Sequence, residues 1–205
     1  MNNHLSNQPS NRELRHSLRK EVRTLRQRLS KSEQQLAERK LLASLIQLPE
    51  VIAANKIAIY LTNDGELNTT AFIHWCWQQA IEVYLPIIHP FTTGNLLFTQ
   101  YLPDTTLVKN KFGILEPQLD VTAVTPLSKL DIIFTPLVAF DQTGARLGMG
   151  GGFYDRTLAQ WVRGNLPLLT PIGLAHDCQQ VEYVPTEEWD IAIPKIITPS
   201  NCFTF

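Results

Sequence analysis

Apolar residues recur through the first part of the chain with the period of a helix. Leu14, Leu18, Val22, Leu25 and Leu29 are spaced by three and four, one face of an amphipathic helix starting at Asn11. Arg12, Arg15, Arg19, Arg23 and Arg26 keep the same spacing, so a stripe of guanidinium groups runs beside the leucine seam. The pattern predicts leucines packed on the body and arginines bordering them. Ser30 and Ser32, with Glu33 close behind, predict the cap of a second helix over Ser32 to Leu48, ended by Pro49. Beyond it the period changes. Lys56 to Leu61 reads as a short strand, Asn63-Asp64-Gly65 as a turn, and Thr69 to Ala80 as a helix. Strands are predicted at Glu82 to Pro86 and Leu96 to Tyr101. Asp131 to Phe140 is almost wholly apolar, as a strand buried on both faces must be. A glycine-rich loop follows, then a helix over Asp155 to Val162, then strands at Pro171 to Ala175 and Ile191 to Thr198.

Strands alternating with helices predict an α/β fold, a single three-layer domain with a mostly parallel central sheet and a basic N-terminal helix. A chain of 205 residues is long enough for one such core, and 44% hydrophobic with 18% charged residues is ordinary for a globular protein. Residues 1–10, rich in Asn, Ser and Gln, are expected to form a disordered tail, with residues 11–205 as the domain. The net charge of −1 implies no polyanionic partner, but the charge is unevenly spread. Up to Lys40 there are ten Lys and Arg against four Glu; the remainder has eight against fifteen acidic residues. A basic arm on an acidic body suggests an anionic ligand, or a nucleic acid, near the N-terminus. Cys76, Cys178 and Cys202 are far apart and odd in number, which predicts a reducing compartment rather than a disulfide framework or a metal site. With no signal-like or membrane-length apolar run, a cytoplasmic protein is expected.

Candidate chemistry concentrates in one place. Five of the ten glycines fall between Gly144 and Gly152, between a buried strand and a helix. Glycines there let backbone N–H groups approach an anion, and the following helix adds its positive end. In an open α/β sheet, ligands bind at the carboxyl ends of strands, where this loop belongs. No Gly-Lys-Ser/Thr follows, and Phe153 stands where a dinucleotide fingerprint would have its last glycine, so both common phosphate loops are excluded. Arg146, inside the loop, could clamp a phosphate oxygen. Asp155 at the helix start either caps the helix or holds Mg²⁺ beside phosphates.

PLVAFD (Pro136 to Asp141) followed by G-x-R-L-G-x-G-G-G-F-Y-D-R (Gly144 to Arg156) resembles the signature of the 5-formyltetrahydrofolate cyclo-ligase family. Other blocks fall in family order: R-x-x-L-R around Leu18-Arg19, Asp64-Gly65-Glu66-Leu67, Tyr84-Leu85-Pro86, Phe112-Gly113-Ile114, Glu116-Pro117, Gly173 to Asp177 and Pro185 to Asp190. The resemblance implies ATP-dependent cyclisation of 5-formyltetrahydrofolate to 5,10-methenyltetrahydrofolate with release of ADP and phosphate, through a phosphorylated formyl intermediate. It implies ATP contacts from Arg15, Arg19, Arg146, Leu147, Gly148, Met149, Gly150, Gly151, Gly152, Phe153 and Tyr154. Arg146, Tyr154 and Asp155 would be catalytic. Asp155 and Asp190 would hold Mg²⁺, and Leu61, Glu66 and Phe112 would contact the folate. Arg15 stands where a lysine is common in the family. The expected partners are these small molecules, with no nucleic acid, no membrane and a monomeric state. His176, beside Asp177 at a strand end, is a further possible proton carrier.

Three other readings stay open on the residues alone. A different phosphate-handling enzyme on a related scaffold would need an acid/base pair and no ATP. A nucleic-acid binder would use the arginine helix. A folate-binding protein without turnover would keep the pocket but lose Arg19, Arg146 or Asp155, all of which are present.

Overall fold

The β-branched runs line up side by side in one sheet. The computed structural model describes residues 9–205. Helices α1 (Asn11–Gln27), α2 (Lys31–Leu45) and α3 (Pro49–Ala53) precede strand β1 (Lys56–Ala58), and α4 (Thr70–Gln78) links it to β2 (Glu82–Ile88). Strands β3 (Leu96–Gln100), β4 (Leu107–Lys109), β5 (Leu115–Pro117) and β6 (Val124–Thr125) lead to β7 (Ile132–Pro136), β8 (Ala139–Phe140) and β9 (Arg146–Leu147). Helix α5 (Phe153–Val162) and strands β10 (Thr170–Leu174), β11 (Lys195–Ile197) and β12 (Cys202–Thr204) follow. The main sheet has the order β12-β11-β10-β7-β1-β2-β3-β6. Its five central strands, β11 to β2, run parallel; β12 and β3 flank them antiparallel, and β6 pairs antiparallel with β3.

The predicted layers follow from strand alternation. Ile57, Val83, Ile132, Phe134 and Ile172 point into a core shared with Leu41, Leu45, Phe72 and Ile73 of α2 and α4. Ala58, Tyr84, Ile133 and Ile196 point the other way, onto Leu158, Tyr154 and Trp161 of α5. The sheet is therefore covered on both faces, as parallel strands require.

Several boundaries differ from those read in the sequence, each for a local reason. The second helix is capped by Ser30, whose side chain accepts from the Glu33 amide while the Glu33 carboxylate accepts from the Ser30 amide. It ends at Leu45, and Pro49 opens the short α3 rather than ending α2, a first-turn position where its missing N–H costs nothing. The apolar run 131–140 is two strands. The carbonyls of Leu137 and Val138 leave the ladder to accept from Gln179 Nε2 at 2.6 and 3.0 Å. The loop 141–155 contains a hairpin: Asp141 Oδ1 accepts from the Thr143 amide and hydroxyl, and the chain returns as β9. Gly144 belongs to that hairpin turn, leaving residues 148–152 as the loop that enters α5. The tail expected over residues 1–10 lies mostly outside the described residues. Ser10 is described, and it caps α1 in a reciprocal pair with Glu13.

The largest departure concerns α1. Its buried side chains are Arg15, Val22 and Arg26, while Leu14 and Leu25 are exposed. The helix is rotated so that the arginine face meets the body, because the body offers carboxylates and carbonyl oxygens there. Val22 joins a small apolar cluster with Val138, Ala139, Leu147 and Val184. This register makes a direct prediction. Leu25→Gln should change the urea-unfolding free energy by less than about 0.5 kcal/mol. Val22→Ala should cost on the order of 1–2 kcal/mol by leaving a gap in a packed cluster. Comparable losses at both sites would contradict the observed face.

Candidate active site

The carboxyl ends of the central parallel strands open onto a cavity of about 600 Å³. Tyr60 and Leu61 follow β1, Pro86 and Ile88 lie on β2, and Pro136 and Leu137 end β7; all six line it. Glu66, Phe112, Arg146, Gly148, Met149, Gly151, Gly152, Phe153, Tyr154 and Asp155 line it too. The sequence thus named residues from three distant segments that the fold brings around one cavity. Arg15, Arg19, Leu147, Gly150 and Asp190 stand behind this lining rather than in it.

One wall is the turn after β1. The chain closes on itself through Thr69 Oγ1, which donates to the Tyr60 carbonyl at 2.8 Å, and Tyr60 Oη, which donates to the Leu67 carbonyl at 3.2 Å. Within it the Asn63 amide donates to Glu66 Oε2 at 3.1 Å and the Glu66 amide to the Asn63 carbonyl at 2.9 Å. Glu66 is half-exposed as a residue, yet its carboxyl is surrounded by protein on most sides. Desolvation pushes its pKa up to about 7 against the opposing pull of Arg26. Burial and then the charge of Glu66 raise the pKa of Tyr154, so that phenol stays protonated. Tyr154 lines the cavity together with Glu66 and Arg146.

The opposite wall is the glycine loop. Gly150 and Gly152 have φ of 97° and 62°, which favours glycine, and a Cβ on Gly152 would come within 3.0 Å of the Arg156 guanidinium. Gly152 occupies the N-cap of α5 and supplies no capping side chain, so the first amides of α5 are left for another acceptor. Arg146 on β9 is 3% exposed; its Nη2 donates to Asp155 Oδ1 at 2.6 Å while its buried Nε has no partner among the described residues. Asp155 falls in the first turn of α5, not at its cap, and uses only Oδ1. The Ile191 amide donates weakly to that oxygen at 3.4 Å, which sets Asp155 beside the Asp190 segment.

Asp190 is itself engaged. Both its oxygens pair with Arg15, and Oδ2 also accepts from the Glu187 amide at 2.8 Å. Arg15 donates further to the Pro185 carbonyl at 2.7 Å. Arg19 donates from Nε to the Gly148 carbonyl at 2.8 Å, and its two Nη groups have no partner among the described residues. Asp155 and Asp190 form a donor set of two carboxylates, which suits a cation that takes its remaining ligands from phosphate and water. Among the described residues no group of three or more His, Cys, Asp or Glu could hold a metal ion.

Four features escaped the sequence reading. Asp64 accepts from Arg23, Arg26 and Gln27 together. Arg156 donates to the carbonyls of Gly94 and Gly151, tying the β2–β3 hairpin to the glycine loop. Glu116 accepts from the Ile88 amide at 3.2 Å and from Asn110, whose Oδ1 in turn accepts from the amides of Phe112 and Ile114, fixing the β4–β5 turn. That turn presents Phe112 edge-on to Phe153, with ring centroids 6.0 Å apart. The family-like blocks contained Asp64, Arg156 and Glu116 but gave no reason to single them out. His176 does not line the cavity. It is 3% exposed, and burial followed by Arg26 lowers its pKa, which keeps the ring neutral. Among the described residues no helix is long and apolar enough to cross a membrane, and the three cysteines are free.

The raised pKa of Glu66 has a stability consequence. The folded pKa of about 7 lies above the reference value of 4.5, so the folded state holds this proton more tightly than the unfolded chain. Stability is lost as pH rises through that interval, and the whole loss is present above pH 7. Water on the open side of the cavity moderates it. Glu66→Gln should therefore raise the melting temperature by a few degrees at pH 8 and by progressively less toward pH 5. A melting temperature lowered equally at both values would contradict this.

Comparison with known proteins identifies the family and the fold. The model of the 5-formyltetrahydrofolate cyclo-ligase family matches residues 11–199. A 5-formyltetrahydrofolate cyclo-ligase of Escherichia coli is 49% identical over 180 residues, 88% of this chain and 97% of that protein. Its namesake in Haemophilus influenzae is 49% identical over 187 residues, 91% and 98% of the two chains. The solution structure of an Aquifex aeolicus 5,10-methenyltetrahydrofolate synthetase superposes with a TM-score of 0.76 at 29% identity, covering 93% of this chain and 92% of that one. With the same fold, a family match over most of the chain and nearly full-length relatives at 49% identity, this chain is a ligase of the 5-formyltetrahydrofolate cyclo-ligase family.

Proposed function

We propose that the protein uses ATP to cyclise 5-formyltetrahydrofolate to 5,10-methenyltetrahydrofolate, releasing ADP and phosphate. The observation that carries this reading is the cavity itself, which has a buried carboxylate on one wall and a guanidinium with an unused Nε beside an uncapped helix start on the other. Glu66 accepts hydrogen bonds from the amino and ring N–H donors of the pterin. Leu61 closes the apolar side, and the crossed rings of Phe112 and Phe153 form a wall. The triphosphate lies along Gly148 to Tyr154, with Arg146, Arg19 and Arg15 supplying positive charge and Leu147 and Met149 fixing the loop between them.

An amide oxygen is a poor nucleophile and a worse leaving group. Phosphorylating it solves the second problem. The formyl oxygen attacks the γ-phosphorus in line, ADP departs, and an imidate-like phosphate remains on the formyl carbon. The 10-nitrogen then attacks that carbon and gives up its proton to solvent or the departing phosphate, and the C–O bond breaks to expel phosphate as the ring closes. The protein needs no nucleophile of its own; it holds the two substrates in line and neutralises developing charge. Arg146 faces the transferred group, and Tyr154, held protonated, can donate a hydrogen bond between the two substrates. Asp155 and Asp190 would hold Mg²⁺, which would offset triphosphate charge when bound. We further propose that residues 11–205 work as one domain and as a monomer, in the cytoplasm, on these small molecules alone.

The test is an absorbance assay of methenyl product with purified protein, Mg²⁺, ATP and 5-formyltetrahydrofolate. Product should require both ATP and metal. Asp155→Asn and Arg146→Ala should each lower kcat by on the order of 10²-fold or more while the protein stays folded. Product without ATP, or none from folded protein, would overturn the reading.

A further inference from the structure

Helix α1 is fastened to the body chiefly by charged contacts. Apart from Val22, and Leu18 at the edge of the same small cluster, its apolar residues stand outside the cores of the sheet. Arg15, Arg19, Arg23 and Arg26 are spaced four, four and three apart and share one face. The first two reach Asp190 and the Gly148 carbonyl, on the glycine-loop side of the cavity. The last two reach Asp64, on the Glu66 side. Arg23 donates to both Asp64 oxygens at 2.7 and 3.1 Å. Arg26 donates to Oδ2 at 2.7 Å and to the Asp64 carbonyl at 3.0 Å. One rigid helix thus spans the two walls, with about 16 Å of rise between Arg15 and Arg26.

The attachment at the Glu66 wall is tight. Asp64 has φ of 51°, a left-handed conformation that Asp tolerates, and it stands two residues before Glu66 in the same closed turn. Displacing Asp64 displaces the Glu66 carboxylate. The attachment at the glycine-loop wall is also made, Arg15 pairing with both Asp190 oxygens and the Pro185 carbonyl, but it is incomplete at Arg19. Arg19 has unused Nη groups, and Arg15 has an anion partner in Asp190 that a phosphate could replace. An anion arriving there gives the helix contacts it lacks when empty, which is the differential interaction a shift in equilibrium requires.

We propose that α1 couples the two halves of the cavity, with Asp64 as the positioning residue that transmits its seating to Glu66. This rests on the functional reading above. Anion binding by Arg15 and Arg19 seats the helix, and the seated helix holds the Glu66 turn in its receptive geometry. By linkage, the folate must tighten nucleotide binding by the same factor.

The experiment is a calorimetric titration of 5-formyltetrahydrofolate, without and with saturating Mg²⁺ and an ATP analogue whose β–γ bridge is an imide. In the unaltered protein the nucleotide should tighten folate binding by about 5- to 100-fold. In Asp64→Asn, which keeps the left-handed turn but loses the charge, each ligand should still bind alone, with the enhancement reduced to less than about twofold. Should Asp64→Asn fail to melt cooperatively, Arg23→Gln decides instead. It leaves the buried Arg26–Asp64 pair in place and should cut the enhancement by at least about threefold. Independent binding in the unaltered protein, or full enhancement in the deciding variant, overturns the coupling. Failure of either ligand to bind alone would instead sink the functional reading on which it rests.

Discussion

The carboxylate of Asp64 fixes the relation between α1 and the rest of the molecule. Arg26 is fully buried, and a guanidinium taken out of water is costly unless it is paired and hydrogen-bonded. Asp64 answers that demand with a side-chain oxygen and a carbonyl, and the Leu137 carbonyl lies at 3.4 Å from a third nitrogen. Once Arg26 faces inward, helical geometry turns Arg19 and Arg15 inward too, about two and three turns earlier. The same rotation leaves Leu14 and Leu25 in solvent. Placement of positive charge over the glycine loop therefore follows from a contact made at the opposite end of the helix.

The cavity is built from groups whose free-state energetics are poor. Glu66 is desolvated with a single amide donor, Arg146 has an unpartnered Nε, and α5 begins on a glycine with no capping side chain. Each would be more comfortable with a partner, and two ligands, one presenting N–H donors and the other phosphates, would supply all three. Stability surrendered at such positions is a usual consequence of preparing a site before its ligand arrives. Arg156 and the Asn110–Glu116 pair carry the opposite burden. They hold the glycine loop and the Phe112 turn in place with partners of their own.

Much of this was legible in the sequence. The run KIAIYL, the apolar stretch ending at Phe140 and the glycine cluster were enough to place a loop at the carboxyl edge of a mostly parallel sheet, though not to order its strands. Capping by Ser30 and Glu33 was legible because it is a local, reciprocal bond. The rotation of α1 was not, since a leucine seam normally packs inward and only the distant acids Asp64 and Asp190 reverse that preference. Nor could periodicity reveal the split at Leu137, where side chains of Gln179 and Arg26 take carbonyls that a continuous strand would have kept. Leu61, Glu66 and Phe112 were named through resemblance, and the fold gathers them with the glycine loop around one cavity. The ion pair between Arg15 and Asp190 joins two residues that the sequence had assigned separately to phosphate and to metal.

The central claim is that the formyl oxygen is phosphorylated and leaves with the phosphate. Substrate carrying a heavy oxygen isotope in its formyl group, turned over with ATP and Mg²⁺, tests this directly. Mass spectrometry of the released phosphate should find the label there, one labelled oxygen for each methenyl product formed. Unlabelled phosphate, with the heavy oxygen recovered in water, would contradict the account.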